Sequence, residues 1–557
     1  MDLHFREATQ RTVLTCEKQR CPGSGRFPTL AVVAVGPSNT RQWITQGNFL
    51  MSTTPPSTPA KAKARLGIRA WMNIVLAECE NAAAGLDAEP VHDLRVGIRR
   101  CRSLADGLRT MDPDPSWKHM KKAGKTVFQA LGDLRDIHVM QGWIEKLSTS
   151  KLSTLDDGVA KKLLDHVHSN EAKCKQDALD VLRQFDRKQW RQWSRSLSRR
   201  AARIRPGSVV FKHLVLEKWT AAYDLHKRAV HSRSQIAWHE LRIGIKRFRY
   251  TVENFLPREH AAWGSDLKEL QDLLGDVHDL DVLWNMAIHI GVFPDPESRT
   301  RWGQKINEER SQRLNRYREK MVGKQSLWQR WREQLPSGPG LRAAATARLR
   351  VWASYLDPDQ VHSERVAQLS LSLYDGLRGA GLLMQDPQQN SRAVLQVAAL
   401  LHDVGKSKGG KAHHKDSFRM IRNLPSPLGW SAQELQLVAV IARYHRGALP
   451  RARQKSLQLL DPPDGRAALQ LAGVLRLTNS LDTRNGIEPR LKVGLDDNIV
   501  LIQATGYSPL DPSAEEIAAA RHLLEVVLRR PVLVRRLRET VPSPKAQLVV
   551  RSHSPRS

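Results

Sequence analysis

Two stretches of the 557-residue chain place histidine and basic residues at a spacing that suits the binding of an anion. The first, HDLRVGIRRCR, begins at His92, and the second, HELRIGIKRFR, begins at His239. Positions 0, 3, 7 and 10 of such a stretch fall on one face of an α-helix. The spacing predicts one stripe of His92, Arg95, Arg99 and Arg102 and a second of His239, Arg242, Lys246 and Arg249, with Arg100 and Arg247 beside them.

The chemistry of these stripes favours a phosphate-rich ligand. Like charges three or four positions apart on a helix repel by roughly a few tenths of a kcal/mol, and no acid stands within either stripe. The planar guanidinium group meets phosphate oxygens in pairs, and a histidine adds a hydrogen-bond donor. A solvated basic face is the alternative, but two matching stripes favour an external anion. Lys121, Lys122 and Lys125 bring further positive charge.

A second pair of segments indicates that this region is duplicated. LGDLRDIHV covers residues 131–139, and LGDVHDLDV covers residues 274–282. Each follows its basic stretch in the same order and at a similar separation. Two elements repeated in this way predict an internal duplication.

A second group of residues, further along the chain, has the types found in metal centres. His402 and Asp403 are adjacent in LLHDVGK, and His362 lies well upstream. Imidazole and carboxylate ligands bind Mn, Mg, Fe or Zn, and a bound metal would activate water for attack on phosphorus. Hydrogen bonding within loops is an equal alternative for the downstream histidines. The candidates for catalytic groups are His413, His414, Lys415, His445 and Arg446.

Helices must position both groups, because apolar residues recur every three or four positions through most of the chain. We therefore predict a mainly all-α fold. A segment rich in proline and glycine predicts an inter-domain linker, and a short alternating segment near the end predicts a β-hairpin. The predicted parts are a disordered leader (1–60), a helical domain (62–333) with repeats at about 62–200 and 207–333, a linker (336–340), a second helical domain (341–538) with the hairpin at 491–493 and 499–502, and a loose tail (541–557).

Composition excludes several classes of protein. The formal net charge of +31 attracts polyanions, whether nucleic acid, an anionic membrane surface or polyphosphate. Five cysteines without a CxxC pair argue against a disulfide scaffold or a cysteine zinc site. No apolar run is long enough for a transmembrane segment, and the N-terminus lacks the apolar core of a signal peptide. We expect a cytoplasmic protein.

The duplicated histidine–arginine helices, with their LGDxxD partners, resemble CHAD domains over about residues 62–333. The resemblance implies two helical bundles related by a pseudo-twofold axis, with a basic channel that binds polyphosphate and a place at polyphosphate granules. It implies binding roles for the stripe residues, Arg100 and Arg247. One departure is His138, where the family pattern has an acid.

The second helical region resembles HD phosphohydrolases and the C-terminal domain of exopolyphosphatase/guanosine-pentaphosphate phosphohydrolases over about residues 345–535. HSERVAQL, LLHDVGK, HHKDS, ARYHRGALP and LRLTNSLD carry this resemblance. It implies that His362, His402 and Asp403 bind a metal. Asn479 stands where the family has a further aspartate ligand, and Asp482 is an alternative. The actin-like catalytic domain of that family does not precede this region, so its main activity is not implied.

Three functions remain open at this point. The first is polyphosphate binding, with the HD-like domain adding binding, regulation or weak phosphohydrolase activity. The second is an active metal-dependent hydrolase of polyphosphate or nucleotides. The third is a nucleic-acid-binding protein, in which Trp190 and Trp193 would stack on bases, although no recognised nucleic-acid-binding motif is present.

Overall fold

Helices make up most of the chain. The computed structural model describes residues 67–148, 157–232, 234–383, 390–482 and 490–537. These residues form eighteen α-helices, one short 3-10 helix and three β-strands, which confirms the mainly all-α fold. No helix in these ranges is both long and apolar enough to span a membrane. The leader predicted over 1–60 and the tail predicted over 541–557 lie outside the described residues.

Two helical bundles follow one another in the first part of the chain. The first consists of α1 (Ile68–Gly85), α2 (Ala88–Leu108), α3 (Ser116–Ser148), α4 (Asp157–Ser169), α5 (Glu171–Gln184) and α6 (Arg187–Ala201). The second consists of α7 (Val209–Val230), α8 (Gln235–Phe255), α9 (Pro257–Ile290), α10 (Pro296–Met321) and α11 (Leu327–Glu333). Each predicted stripe lies on the second helix of its bundle, and each LGD segment lies on the long third helix.

The two bundles pack in the same way. Helix α2 lies between α1 and α3, and α8 lies between α7 and α9. A glycine allows each close approach. A Cβ at Gly97 would lie 3.0 Å from Val75 on α1, and a Cβ at Gly244 would lie 2.7 Å from Leu225 on α7. This shared packing confirms two pseudo-symmetric bundles, which share one large hydrophobic core, while residues of α3, α4, α9 and α10 form a second, smaller core.

The remaining residues form a smaller helical part with its own core. Its helices are α12 (Gly338–Ser354), α13 (Gln360–Gly379), α14 (Ser391–Leu401), α15 (His413–Arg422), α16 (Ala432–Arg443), α17 (Pro462–Leu481) and α18 (Ser513–Leu528), with the 3-10 helix (Val404–Lys408) between α14 and α15. Helix α12 begins within the segment predicted as a linker.

A small sheet completes this part. Strands β1 (Leu491–Asp496) and β2 (Ile499–Ala504) pair antiparallel, with Val493 opposite Ile502, which confirms the hairpin. A third strand, β3 (Val532–Arg536), pairs parallel with β2 and was not predicted. Its five residues do not alternate between apolar and polar, so the sequence does not distinguish them from a loop. They form a strand because they pair with β2 in the folded chain.

The smaller part packs directly on the second bundle, through α12 and α7. His213 of α7 is fully buried and donates through Nε2 to the carbonyl oxygen of Leu428 at 2.8 Å. Its Nδ1 then accepts from Arg348 of α12 at 3.3 Å, and Arg348 also lies 2.6 Å from Glu217. Burial lowers the pKa of His213, which keeps the imidazole neutral in this arrangement.

Candidate functional site

Packing of α2 against α8 brings the two basic stripes together. The guanidinium of Arg99 lies 5.5 Å from the ring centroid of Tyr250 on α8, and Asn254 of α8 donates to Ser103 of α2 at 3.0 Å. Lys246 of α8 lies close enough to Arg95 and Arg99 of α2 for their charges to lower its pKa, so the two stripes lie side by side. We call the eight stripe residues together the basic groove. Its members are His92, Arg95, Arg99, Arg102, His239, Arg242, Lys246 and Arg249.

Several cations of the basic groove lack hydrogen-bond acceptors. The Nε atoms of Arg99, Arg102 and Arg242 are buried and have no partner within the described part of the chain. A buried donor without a partner costs about 1–3 kcal/mol. Arg95 is held differently, because it donates to the carbonyl oxygen of Phe128 at 2.9 Å and lies over the Phe128 ring. The basic groove is thus short of acceptors, and an anion would supply them.

The electrostatics of the basic groove show crowding of positive charge. Burial, followed by repulsion from Arg242 and Arg99, lowers the pKa of Lys246 to about 7. Burial also lowers the pKa of Arg242. On α9, burial raises the pKa of Asp279 to about 6, although Arg242 acts in the opposite direction. Lys246 and Asp279 therefore change protonation close to neutral pH, where a bound polyanion would favour the protonated forms.

The residues beside the stripes have other partners. Arg100 forms an ion pair with Glu253 of α8, and Lys121 forms one with Asp106 of α2. Arg247, Lys122 and Lys125 are exposed. Arg100 therefore joins the two stripe helices, which the periodicity of the sequence did not reveal.

The histidines at the two stripe ends differ between the repeats. His92 is exposed, whereas Nδ1 of His239 lies 3.2 Å from Nδ1 of His278. His138, at the position where the family has an acid, has a buried Nδ1 without a partner among the described residues. Its repeat equivalent, Asp281, instead pairs with Arg310 at 3.0 Å. The departure at His138 thus removes an ion pair that the second bundle retains.

Trp190 and Trp193 do not form a surface for stacking on bases. Trp190 is fully buried and donates through Nε1 to the carbonyl oxygen of Met72 at 3.0 Å. The ring of Trp193 packs against it, with centroids 6.4 Å apart. Both rings belong to the packing of the first bundle, so the suggestion that they stack on nucleic acid is wrong.

The second candidate site is a cluster of histidines around Asp403. Two groups of possible metal ligands share this carboxylate, and within each group the ligand atoms lie within 4.8 Å of one another. The first group adds His362, from the first turn of α13, and His402, which follows α14. The second adds His413, the first residue of α15, and His445, which follows α16. All five residues are buried.

Hydrogen bonds orient three of these imidazoles. His402 and His445 donate through Nδ1 to the carbonyl oxygens of Ala399 and Ala442, at 2.6 and 2.7 Å. His362 donates through Nδ1 to Asp482 at 2.5 Å. Each Nε2 is thereby turned towards the cluster. Metal-binding histidines are commonly oriented in this way, by a hydrogen bond from the ring nitrogen that does not bind the metal.

The structure separates the roles of Asn479 and Asp482. Asp482 accepts from Nδ1 of His362, the ring nitrogen remote from Asp403, and is held by Arg365 at 2.8 and 2.9 Å, so it positions His362. The amide oxygen of Asn479 lies 3.1 Å from Nε2 of both His362 and His402. Asn479, rather than Asp482, therefore lies beside the Nε2 atoms of the cluster.

The groups around Asp403 keep it ionised. Burial alone would raise its pKa, but the neighbouring His402, the hydrogen bond from His413, the neighbouring His445 and the ammonium of Lys406 hold the pKa well below the usual value. Burial lowers the pKa of His402 and His445, which favours their neutral forms. An ionised carboxylate and neutral imidazoles that turn their Nε2 atoms towards it form a donor set that fits a divalent metal.

The cluster forms the floor of a pocket of about 530 Å³. Three cations line this pocket, namely Lys406, Arg446 and Arg476. Arg476 was missed from the sequence, although it stands three positions before Asn479 on α17 and so shares its face. Its Nη1 is buried without a partner in the described ranges, while its Nη2 donates to the carbonyl oxygen of Gly447 at 2.6 Å.

Two of the predicted catalytic candidates lie outside the cluster. The His414 imidazole packs against Gly447, where an added Cβ would lie 2.9 Å from its Nε2. Burial, followed by repulsion from Arg443, lowers the pKa of His414 to about 4. Lys415 is exposed, and neither residue belongs to the two ligand groups.

Fold and sites together define a helical protein that combines a duplicated basic groove with a histidine–aspartate pocket. Residues 68–287 match the CHAD domain family, and residues 346–497 match Ppx/GppA phosphatase, domain III. The matches support a CHAD domain in the first part of the chain and a Ppx/GppA-like domain in the second. The two matches relate it to a polyphosphate-related function.

Among the solved structures to which the chain is similar is the crystal structure of the CHAD domain from the plant Ricinus communis. The identity is 19%, the match covers 50% of this chain and 89% of the other, and the TM-score is 0.32. No curated protein matches the chain.

Proposed function

We propose that the protein binds inorganic polyphosphate in the basic groove. The observation that carries this proposal is the set of buried guanidinium Nε atoms without acceptors on α2 and α8. A chain of phosphates offers several oxygens at each unit, and arginine binds such oxygens in pairs. The two stripes of the duplicated bundles would contact successive phosphates of one chain.

The arrangement of aromatic residues favours polyphosphate over nucleic acid. Binding of single strands without sequence preference combines a basic groove with aromatic rings on which bases stack. The rings next to the basic groove are covered, because the guanidinium groups of Arg95 and Arg102 lie over Phe128 and Tyr250 is buried. A ligand without bases needs no such ring. In the cell, this binding would place the protein in the cytoplasm, at polyphosphate granules.

A charge-reversal pair tests this proposal. The variant Arg95→Glu/Arg242→Glu reverses one cation in each stripe and should weaken binding of long-chain polyphosphate at least about 100-fold, since each lost charge pair removes on the order of 1–3 kcal/mol. The matched control is Lys188→Glu/Arg191→Glu, which changes the net charge equally on the exposed face of α6.

The control should retain affinity within about threefold, because screened surface charges contribute little. Binding is measured by titration at physiological salt, with single-stranded RNA as competitor. Equal losses in both variants, or equal displacement by RNA, would show that the attraction is non-selective and would contradict the basic groove as the polyphosphate site.

A second function is favoured by the pocket around Asp403, namely metal-dependent hydrolysis of a phosphate ester or anhydride. A divalent ion held by the histidines and Asp403 would supply an activated water at neutral pH. Lys406, Arg446 and Arg476 line the same pocket and would bind the phosphate oxygens. Asp482 and the carbonyl groups of Ala399 and Ala442 hold the imidazoles in the orientation that this requires.

Phosphate release from polyphosphate, with and without Mn²⁺, tests this second function. The wild-type chain should release phosphate only with the metal, and the variant His402→Ala/Asp403→Ala should release none. Release that persists in this variant would assign the activity to a contaminant or another site. A wild-type chain that binds polyphosphate and releases nothing with any divalent metal would restrict the pocket to binding or regulation.

A further inference from the structure

Asp403 divides the histidine cluster into two half-sites. Its Oδ2 faces Nε2 of His402 at 3.4 Å and of His362 at 3.8 Å. Its Oδ1 faces Nε2 of His413 at 3.1 Å and of His445 at 3.7 Å. We call the first group, with Asn479, the Asn479 half-site, and the second the His445 half-site.

The Asn479 half-site can satisfy its own lone pairs. Both imidazoles use Nδ1–H for other partners, so each Nε2 points a lone pair at the amide of Asn479, 3.1 Å away. A half rotation of the amide exchanges its oxygen and nitrogen and directs two N–H groups at these two lone pairs. A carboxylate at this position has no proton to offer and would leave both nitrogens to a metal. The amide therefore competes with a metal for the same lone pairs.

The His445 half-site has no such internal donor. His445 uses Nδ1–H for Ala442, so its Nε2 is an acceptor, and Nε2 of His413 lies 3.3 Å from it. One proton on Nε2 of His413, shared between Asp403 and His445, is the only link among the described groups here. A metal that replaced this proton would gain one carboxylate and two imidazoles, and would keep open positions towards the pocket.

We propose that the pocket binds one divalent metal, held by Asp403, His413 and His445, and that Asn479 closes the other half-site. The retained half-site lies beside Arg446, the residue that follows His445 and also lines the pocket. A phosphate on this arginine would thus reach the open positions of the metal. This inference rests on the proposed metal-dependent role of the pocket, but it concerns where the metal binds and not whether hydrolysis follows.

The test is the stoichiometry of Mn²⁺ binding to the full-length protein, by calorimetry and by metal analysis after dialysis. Wild type should bind one equivalent. His445→Gln should weaken binding at least about 100-fold, whereas His362→Gln should change it less than about threefold. Asn479→Asp should bind two equivalents, with the magnetic coupling of an adjacent Mn²⁺ pair in its electron paramagnetic resonance spectrum. Circular dichroism and thermal unfolding of each variant check that it is folded.

Several results would overturn the inference. These are loss of the metal in His362→Gln with retention in His445→Gln, two equivalents in wild type, one equivalent in Asn479→Asp, or no Mn²⁺ binding at all. If a buried glutamine at 445 unfolds the chain, His413→Gln removes the other imidazole of the same half-site and decides the question. Phosphate release is measured separately, so that a metal bound as predicted without any release contradicts only the proposed hydrolysis.

Discussion

His362 donates its Nδ1–H to Asp482 at 2.5 Å, across 120 residues of sequence, while Arg365 holds the same carboxylate with two hydrogen bonds. Asp482 thereby fixes the orientation of the His362 imidazole through Nδ1, while Nε2 of the same ring faces Asp403. The carboxylate is almost fully buried, and its pKa lies below the usual value because the hydrogen bonds from Arg365 and His362 outweigh the effect of burial. This network makes a definite prediction about stability.

Replacing Asp482 with alanine should lower the free energy of unfolding by about 3 kcal/mol, because it leaves Arg365 and a buried histidine without their acceptor. Urea denaturation measures the change. The control is Asp375→Ala, which removes a similar bidentate partner from Arg392 at a site where both side chains are half exposed. That change should be about 0.5 kcal/mol. Similar losses in both variants would mean that the Asp482 network contributes no more than a surface ion pair.

Polyphosphate binding should depend on pH through Lys246. This residue faces Arg242 on its own helix, Arg95 and Arg99 on α2 and Asp279 on α9. Since its pKa is about 7 in the free protein and a polyanion favours the charged form, binding takes up a proton, and affinity falls as the pH rises above 7. Lys246 occupies in the second stripe the position that Arg99 occupies in the first, so Lys246→Arg makes the two stripes alike there. The arginine stays charged across this pH range.

We therefore expect Lys246→Arg to bind like wild type at pH 6 and about tenfold more tightly at pH 8, because uptake of one proton changes affinity about tenfold for each pH unit above the pKa. Titrations across this range measure both. Asp279, with a pKa of about 6, adds a fall in affinity above about pH 6 that both proteins share. Parallel curves above pH 7 would contradict the role of Lys246.

Arg99 and Arg100 are neighbours in sequence and should respond oppositely to substitution. Arg100 pairs with Glu253 of α8, so Arg100→Met should lower the free energy of unfolding by about 1–2 kcal/mol and change polyphosphate affinity only slightly. The Nε atoms of both residues are buried without an acceptor among the described residues, but Arg99 has no ion pair there and has Arg100 and Arg249 nearby, so Arg99→Met should weaken binding about tenfold without loss of stability. The same pair of measurements on both variants checks this, and an identical pattern would refute the distinction.

Gly244 and Gly275 give a matched test of the helix packing. A Cβ at Gly244 would lie 2.7 Å from Leu225, whereas a Cβ at Gly275 on α9 would meet nothing within 4 Å. Gly275→Ala should stabilise the protein by about 0.5–1 kcal/mol through helix propensity, and Gly244→Ala should lose that gain and destabilise by about 1 kcal/mol. Thermal unfolding measures both. A stabilising Gly244→Ala would show that α7 and α8 are less closely packed than described.

Periodicity predicted which residues share a helix face, and hence both stripes and the helical class. This succeeded because the period of a helix is a local property, and the duplication repeated the signal. Contacts between distant segments were not predictable in the same way. The pairing of Arg100 with Glu253, the position of Asp482 behind His362, and the third strand all depend on which elements meet after folding.

The histidine cluster shows the same division. Adjacency of His402 and Asp403 indicated a candidate metal site, but nothing in the spacing placed His413 and His445 on the other oxygen of Asp403. Arg476 was the one residue that helix spacing could have revealed, since it shares a face with Asn479.

The near-equivalence of the two stripes has a consequence for the kind of polymer that suits them. Two copies of one helical motif, related by duplication, present similar donors to whichever end of a ligand enters first. A nucleic acid strand has a direction, because its sugars run from 5′ to 3′, and it would fit the two copies unequally. Inorganic polyphosphate reads the same from both ends. We expect a polyphosphate chain to enter the basic groove in either direction with similar free energy, so that an encounter with either of its ends is productive.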